Sequence, residues 1–320
     1  MSEKQIITFS RRTDPAFHMP WLLDKINRGG CLVPNPFNKK PYWVGLKPDE
    51  VLLLNFWTKA PSVVQPYLKD LSDYRVAFFI THTNYPKWVE PNVPDLAATA
   101  DAVDKLAKLL SSDGVWFRYD PIILTNAITP AWHVQNFKML CEKVWGGRTK
   151  RGIISLIHDR GPYAWIRPLV ESAARNHDDA YRPAEHDQFM QLASKLTVIA
   201  QGHGIDLRVC CSPIVTPEDA SRCGLRQGEC LSEDSLKALG IMPPRKKKPT
   251  RKGSLTHDYA PCGCLASRDI GAKRTCGHFC CYCYAEGGDV GQCPAIPACS
   301  PWLCSDPLPA GYGYPAQARG

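Results

Sequence analysis

Alternation of strand-like and helix-like segments sets the strongest limit on how this chain can fold. Over the first 210 residues, short β-branched and aromatic runs occur at Ile6–Ser10, Val51–Thr58, Arg75–Thr81, Val115–Tyr119, Gly152–Ile157 and Leu207–Cys210. Each has the length and composition of a buried strand. Helical patterns lie between most of them. Asp95 is placed to cap a helix through Leu110, with Leu96, Val103, Leu106 and Leu110 at core spacing. Pro130 opens a second pattern carrying Trp132, Phe137, Leu140 and Val144. A third runs from Ala184 through Ala200, with Phe189, Leu192, Leu196 and Ile199 on one face. This alternation predicts a parallel sheet with crossover helices. The expected fold class is α/β, a partial (β/α)6-type barrel, because only six strand candidates are present.

Polar residues gather just after these runs. Ser10, Arg11, Arg12, Thr13 and Asp14 follow the first, and Thr58 and Lys59 end the second. Thr81, His82, Thr83 and Asn84 follow the third, Arg118 and Asp120 end the fourth, and His158, Asp159 and Arg160 follow the fifth. Parallel α/β folds bind ligands at the carboxyl ends of their strands. A helix cap or a salt bridge explains any one cluster, but five in register predict a shared pocket. Arg118 is the candidate for a carboxylate of substrate or cofactor, with a structural salt bridge as the plain alternative. His82 and His158 are candidate acid/base groups, although a lone His is more often simply hydrogen-bonded. Trp57 and Trp116 read as core.

Cysteine use is the anomaly. Of fifteen cysteines, thirteen lie between Cys210 and Cys304. Residues Met1 to Ser10 lack a basic start followed by a long apolar core, so no signal peptide is expected. No apolar run is long enough to span a bilayer. A cytoplasmic protein without membrane contact is therefore expected, and clustered thiols there read as metal or iron–sulfur ligands. Cys31 and Cys141 read as plain buried thiols. The net charge of +8 is uneven, because residues 245–252 hold six positive charges and no acid. Such a run can contact phosphate or nucleic acid, and is more often a solvated loop. The expected organisation is an α/β barrel-like domain over 1–211, an irregular connecting region with the basic loop over 212–260, a Cys-rich cluster-binding segment over 261–289, and an irregular Pro/Gly-rich tail over 290–320.

The sharpest local signal is Thr275-Cys276-Gly-His-Phe-Cys280-Cys281-Tyr282-Cys283-Tyr284-Ala285. Cys276-x3-Cys280-x2-Cys283 puts three soft thiolates on one tight loop, suited to iron–sulfur clusters or zinc. Three thiolates on a 4Fe–4S cubane leave one iron open to an exogenous ligand. Zinc would want a fourth protein ligand, and His278, Cys264 or Cys293 could supply it. The spacing, with aromatic Tyr282 before the last cysteine, resembles the radical S-adenosylmethionine superfamily. Ser10-Arg-Arg-Thr-Asp14, Asn35-Pro-Phe-Asn38, Phe56-Trp-Thr-Lys59, Glu90-Pro-Asn-Val-Pro94, Arg118-Tyr-Asp-Pro-Ile122, Asp269-Ile-Gly271 and Cys280-x-Tyr-Cys-Tyr-Ala285 together resemble one bacterial family, the domain of unknown function numbered eighteen forty-eight. In that family a Gly often precedes the middle cysteine, where this chain has Phe279.

The superfamily resemblance implies a 4Fe–4S cluster on Cys276, Cys280 and Cys283, S-adenosylmethionine as cofactor, and a flavodoxin- or ferredoxin-like electron donor. It implies cofactor contacts from Arg11, Arg12, Asp14, Arg118 and Tyr282. Asp14 stands where the superfamily's acidic element would accept hydrogen bonds from the methionyl ammonium. The cluster loop usually follows the first barrel strand, whereas here it follows a short segment at Gly263–Ser267. A circular permutation would reconcile the two, with 263–267 acting as first strand and Ile6–Ser10 as second. Cys210, Cys230, Cys262 and Cys264 are candidates for a second site, either zinc or an auxiliary cluster, with buried thiols as the plain alternative. The leading expectation is a radical S-adenosylmethionine enzyme of unread substrate. The alternative is a non-catalytic zinc or iron–sulfur protein that binds nucleic acid through residues 245–252.

Overall fold

A computed structural model describes residues 4–9, 12–35, 40–210, 215–244, 264–273 and 275–285. Strand β1 (Gln5–Phe9) leads into helix α1 (Met19–Asn27) and a hairpin of β2 (Gly30–Pro34) and β3 (Pro41–Gly45). Then come β4 (Val51–Thr58), α2 (Pro61–Val64), β5 (Val76–Thr81), α3 (Leu96–Leu110), β6 (Val115–Ile122), α4 (Pro130–Leu140) and β7 (Arg151–Leu156). After them follow α5 (Ile166–Arg175), α6 (His186–Gly202), β8 (Asp206–Val209), α7 (Pro217–Arg222), β9 (Arg226–Gln227), α8 (Glu233–Ala238) and β10 (Arg268–Ile270).

The six expected strands are β1, β4, β5, β6, β7 and β8, and the three expected helices are α3, α4 and α6. Asp95 caps α3 as its position predicts, its Oδ1 accepting from Ala98 N at 2.8 Å. Helix α4 stops at Leu140, and Val144 continues in a wide π-type turn over Cys141–Trp145.

Eight strands form one sheet in the order β10-β1-β4-β5-β6-β7-β8-β9. Every neighbouring pair is parallel. The fold is therefore α/β with a parallel sheet. No ladder joins β9 to β10 among the described residues. One face packs Phe9, Phe56, Phe78, Phe117 and Tyr119 against helix residues such as Val103, Phe137 and Leu196. The other face, with Ile6, Leu53, Phe79, Trp116 and Ile153, lies under Leu231, Leu236, Ile241 and Leu265. Burial on both faces explains why the strands read as nearly continuous apolar runs.

Two expectations shift. The stretch expected to be irregular over 212–260 carries α7, β9 and α8, and β9 extends the sheet beyond residue 211. The basic run 245–252 and the tail 290–320 lie outside the described residues. The strand expected at 263–267 forms instead at Arg268–Ile270, where it pairs with β1 through Ile7↔Arg268, Thr8↔Asp269 and Phe9↔Ile270. Gly271 ends it at φ +97°, and a Cβ there would lie 2.8 Å from both Phe9 and Thr13 side chains. A left-handed backbone pressed against β1 admits glycine alone at low cost. Among the described residues, no helix is long and apolar enough to cross a membrane.

Candidate functional site

The loop after β10 carries Cys276, Cys280 and Cys283, and the segments that follow β1 and β5 hold it down. Thr275 O meets His18 Nε2 at 3.0 Å, and the same nitrogen lies 3.0 Å from Thr13 Oγ1. His278 Nε2 contacts Asp14 Oδ2 at 2.9 Å, while its Nδ1 lies 3.1 Å from Asn92 O. Asn92 Nδ2 donates to Gly277 O at 2.8 Å, and Cys281 N donates to Val89 O at 3.1 Å. The loop therefore docks on the 89–92 segment that follows β5 and on the turn after β1. Phe279 takes φ 55°, a left-handed conformation.

Asp14 is the hub of this docking. Its Oδ1 accepts from Ala16 N at 2.9 Å and Thr58 Oγ1 at 2.7 Å, and its Oδ2 accepts from Lys59 N at 2.7 Å. Burial opposes its ionisation, yet the hydrogen bond and charge of His278, with the backbone N–H groups, hold its pKa below the ordinary carboxylate value. Any ammonium accepted by Asp14 would have to share or displace these donors.

A buried ion pair lies beside the middle cysteine. Lys59 Nζ donates to Glu90 Oε1 at 2.8 Å, Thr83 Oγ1 donates to the same oxygen at 2.7 Å, and the Tyr282 hydroxyl donates there too. The Lys59 ammonium also sits 5.5 Å above the Tyr282 ring. Burial pulls the Lys59 pKa down, but the charges of Glu90 and Cys280 outweigh it and raise the value. Burial likewise opposes the Glu90 carboxylate, which Lys59 nevertheless holds below the usual range. One ammonium thus faces both a carboxylate and a candidate ligand sulfur. Burial pushes the Cys280 thiol well up, and Cys276 and Cys283 push it further.

Arg118 lies at a second centre. Its Nη2 pairs with Asp120, its Nη1 donates to Cys230 Sγ at 2.8 Å, and its guanidinium stacks 4.5 Å from the Trp57 ring. Asp120 also accepts from Ser155 Oγ. Cys210 Sγ is 3.6 Å from Cys230 Sγ, and Cys264 Sγ accepts from Cys230 N at 3.2 Å. Arg12 turns toward β10, with Nη1 on Pro34 O at 2.9 Å and Nε 3.6 Å from Asp269.

The sequence profile of the domain of unknown function DUF1848 matches residues 6–285. The chain belongs to this family. Comparison with curated proteins returned no match. The DUF1848 match spans both centres just described. Of the expected site residues, the fold gathers Asp14, Tyr282 and the three loop cysteines in one place, and Arg118 with Cys210, Cys230 and Cys264 in another. Arg12 faces Asp269, and Arg11 and Cys262 lie outside the described residues. As placed, no three His, Cys, Asp or Glu side chains among the described residues close on a single ion. A cubane spreads its three thiolates over three irons, so its ligands stand wider apart than those of one ion.

The fourth zinc ligands considered for the loop are engaged elsewhere. Both ring nitrogens of His278 have partners, Cys264 sits beside Cys230, and Cys293 lies outside the described residues. His82 is buried with its Nδ1 unpaired, and burial lowers its pKa to about 4, which fits a neutral core ring. Sequence reasoning missed His18 and the docking role of Asn92. It also missed that Glu90 is the counter-charge of Lys59. The Glu90-Pro-Asn-Val-Pro94 string was visible, but its partners were not.

Proposed function

We propose that this DUF1848 chain is a radical S-adenosylmethionine enzyme. In this reading Cys276, Cys280 and Cys283 hold a 4Fe–4S cluster, and the sheet is a partial barrel in permuted order, with β10 as its first strand. The observation that carries the reading is the parallel pairing of β10 with β1. It sends a three-cysteine loop out from the carboxyl edge of the sheet, where α/β folds do their chemistry.

A cluster with one iron free of protein ligands would supply the electron that cleaves the sulfonium of S-adenosylmethionine. The chain's own residues do the rest. Tyr282 and Lys59 fix Glu90 beside the middle cysteine, and Lys59 sets a positive charge against the Cys280 sulfur. His18 and Asn92 hold the loop backbone and Asp14 holds its His278 ring, so three soft ligands stay oriented together. Burial of Cys280 and Tyr282 keeps water from the cluster side. Arg118, the candidate for a carboxylate, is instead held at the second centre by Asp120 and Cys230. A small flavodoxin- or ferredoxin-like donor supplies the electron.

The test is anaerobic reconstitution with iron and sulfide, then electron paramagnetic resonance of the reduced protein with and without S-adenosylmethionine. A 4Fe–4S signal is expected that changes on adding the cofactor and disappears in Cys280→Ala. Tight zinc in the loop with no reconstitutable cluster would overturn the reading.

A further inference from the structure

Cys210 follows β8, Cys230 follows β9, and Cys264 precedes β10. Three separate elements thus bring one sulfur each to the face covered by Leu231, Leu236, Ile241 and Leu265. Cys230 is the centre of the group. Its sulfur lies 3.6 Å from that of Cys210, and its backbone N–H reaches Cys264 Sγ at 3.2 Å. Two thiolates bound tetrahedrally to one zinc at about 2.3 Å stand roughly 3.8 Å apart, whereas disulfide sulfurs stand about 2 Å apart. The observed separation is too long for a disulfide and is that of two thiols in van der Waals contact, near enough for both to reach one ion.

Arg118 gives an independent sign. Its buried guanidinium donates to Cys230 Sγ at 2.8 Å. A thiol sulfur is a weak acceptor, and a charged donor at this place would hold the thiolate once a metal displaces its proton. Donation to a ligand atom from the surrounding shell is how proteins orient and tune metal ligands.

We infer that Cys210, Cys230 and Cys264 form a thiolate site for a soft divalent cation, zinc, with Arg118 donating to Cys230 from outside the ligand set. The sulfurs do not yet meet at one point. Binding draws the Cys264 thiol in by side-chain rotation and releases the three thiol protons to solvent. Three protein ligands leave the fourth tetrahedral position for water or another donor. The site uses none of Cys276, Cys280 or Cys283, so it stands or falls apart from the radical reading.

The test uses the full chain carrying Cys276→Ala, Cys280→Ala and Cys283→Ala, which removes the loop thiols. Elemental analysis should find zinc at about one ion per chain, falling at least ~10-fold when Cys230→Ser is added. Because that substitution can disturb folding, a second measurement leaves the site intact. Cobalt(II) added to the metal-stripped triple variant should produce thiolate-to-cobalt charge-transfer absorption that zinc abolishes. The inference is overturned by only trace metal, by zinc retained undiminished in a folded Cys230→Ser chain, or by iron and sulfide assembling there instead. A non-reduced mass lower by two hydrogens, marking a Cys210–Cys230 disulfide, would overturn it as well. Zinc bound here in the unaltered chain, with no cluster reconstituted on its intact loop, would overturn only the radical reading.

Discussion

Removing the Lys59 ammonium would leave Glu90, only 2% exposed, with no counter-charge. Breaking one side of a buried pair costs about 3–5 kcal/mol, whereas replacing both sides with apolar groups costs far less. Lys59→Met should therefore lower the urea midpoint by that equivalent, and Lys59→Met/Glu90→Leu should recover most of it. A single-variant loss below about 1 kcal/mol would show that the pair is solvated. Two histidines give a pH signature. Burial lowers His82 and His133 from 6.5 to about 4. The unfolded chain then binds more protons than the native one between those values. Their stabilisation is complete above pH 6.5 and is lost as pH falls toward 4, each contributing up to about 3 kcal/mol. Urea midpoints measured from pH 7 to 4.5 should fall, and the slope should shrink in His82→Gln. Phe279 holds a φ of 55° with its ring partly exposed. Phe279→Gly should stabilise the loop by about 1 kcal/mol, the usual cost of a left-handed non-glycine residue, read as slower loop proteolysis. These partnerships were only half legible. The cysteine spacing announced soft ligands, but the Lys59–Glu90 match across 31 residues exists only after β4 and β5 pair.

Among the elements, β10 is the least legible and the most consequential. It is three residues long, too short for any periodic signal, and its partner lies about 260 residues away. The sequence suggests a strand at 263–267 because Cys264 and Leu265 look strand-like. In the structure these two instead pack beneath the second face of the sheet. Gly271 fixes where the strand ends. Gly271→Ala should cost about 1–3 kcal/mol through its positive φ and its clash with Phe9. On the proposed cluster reading, it should also lower the iron retained after reconstitution, measured against the unaltered chain. Longer elements were readable for plain reasons. Helix α3 has a capping Asp95 and a core stripe, and β4 to β7 are apolar on both faces. Helices α7 and α8 span six residues each, below the length at which spacing speaks. Their capping residues, Thr216 with Asp219 and Ser232 with Ser235, were the readable signal.

For the whole molecule, β1 is flanked on one side by β4 and on the other by β10. A chain truncated after residue 244 keeps the central sheet but loses β10, leaving β1 as an uncovered edge. Unprotected parallel edges recruit other chains. The truncated protein should form higher-order species in analytical ultracentrifugation while the full chain does not, and a truncated chain that stays monomeric would argue that β10 is dispensable. The parallel sheet itself followed from strand–helix alternation. Its final order did not, because no local rule says that the last strand returns to the first.

That return has a consequence in time. During synthesis, β1 emerges before the other strands of its sheet, while the strand that covers its outer edge begins 260 residues after Thr8. At roughly 10 residues per second, β1 waits about half a minute for its neighbour. Throughout that interval the loop that carries Cys276, Cys280 and Cys283 has not been translated. Any metal delivered to it must arrive after the rest of the sheet has had time to form. A chaperone that shields the β1 edge during that interval should then raise the yield of folded chain.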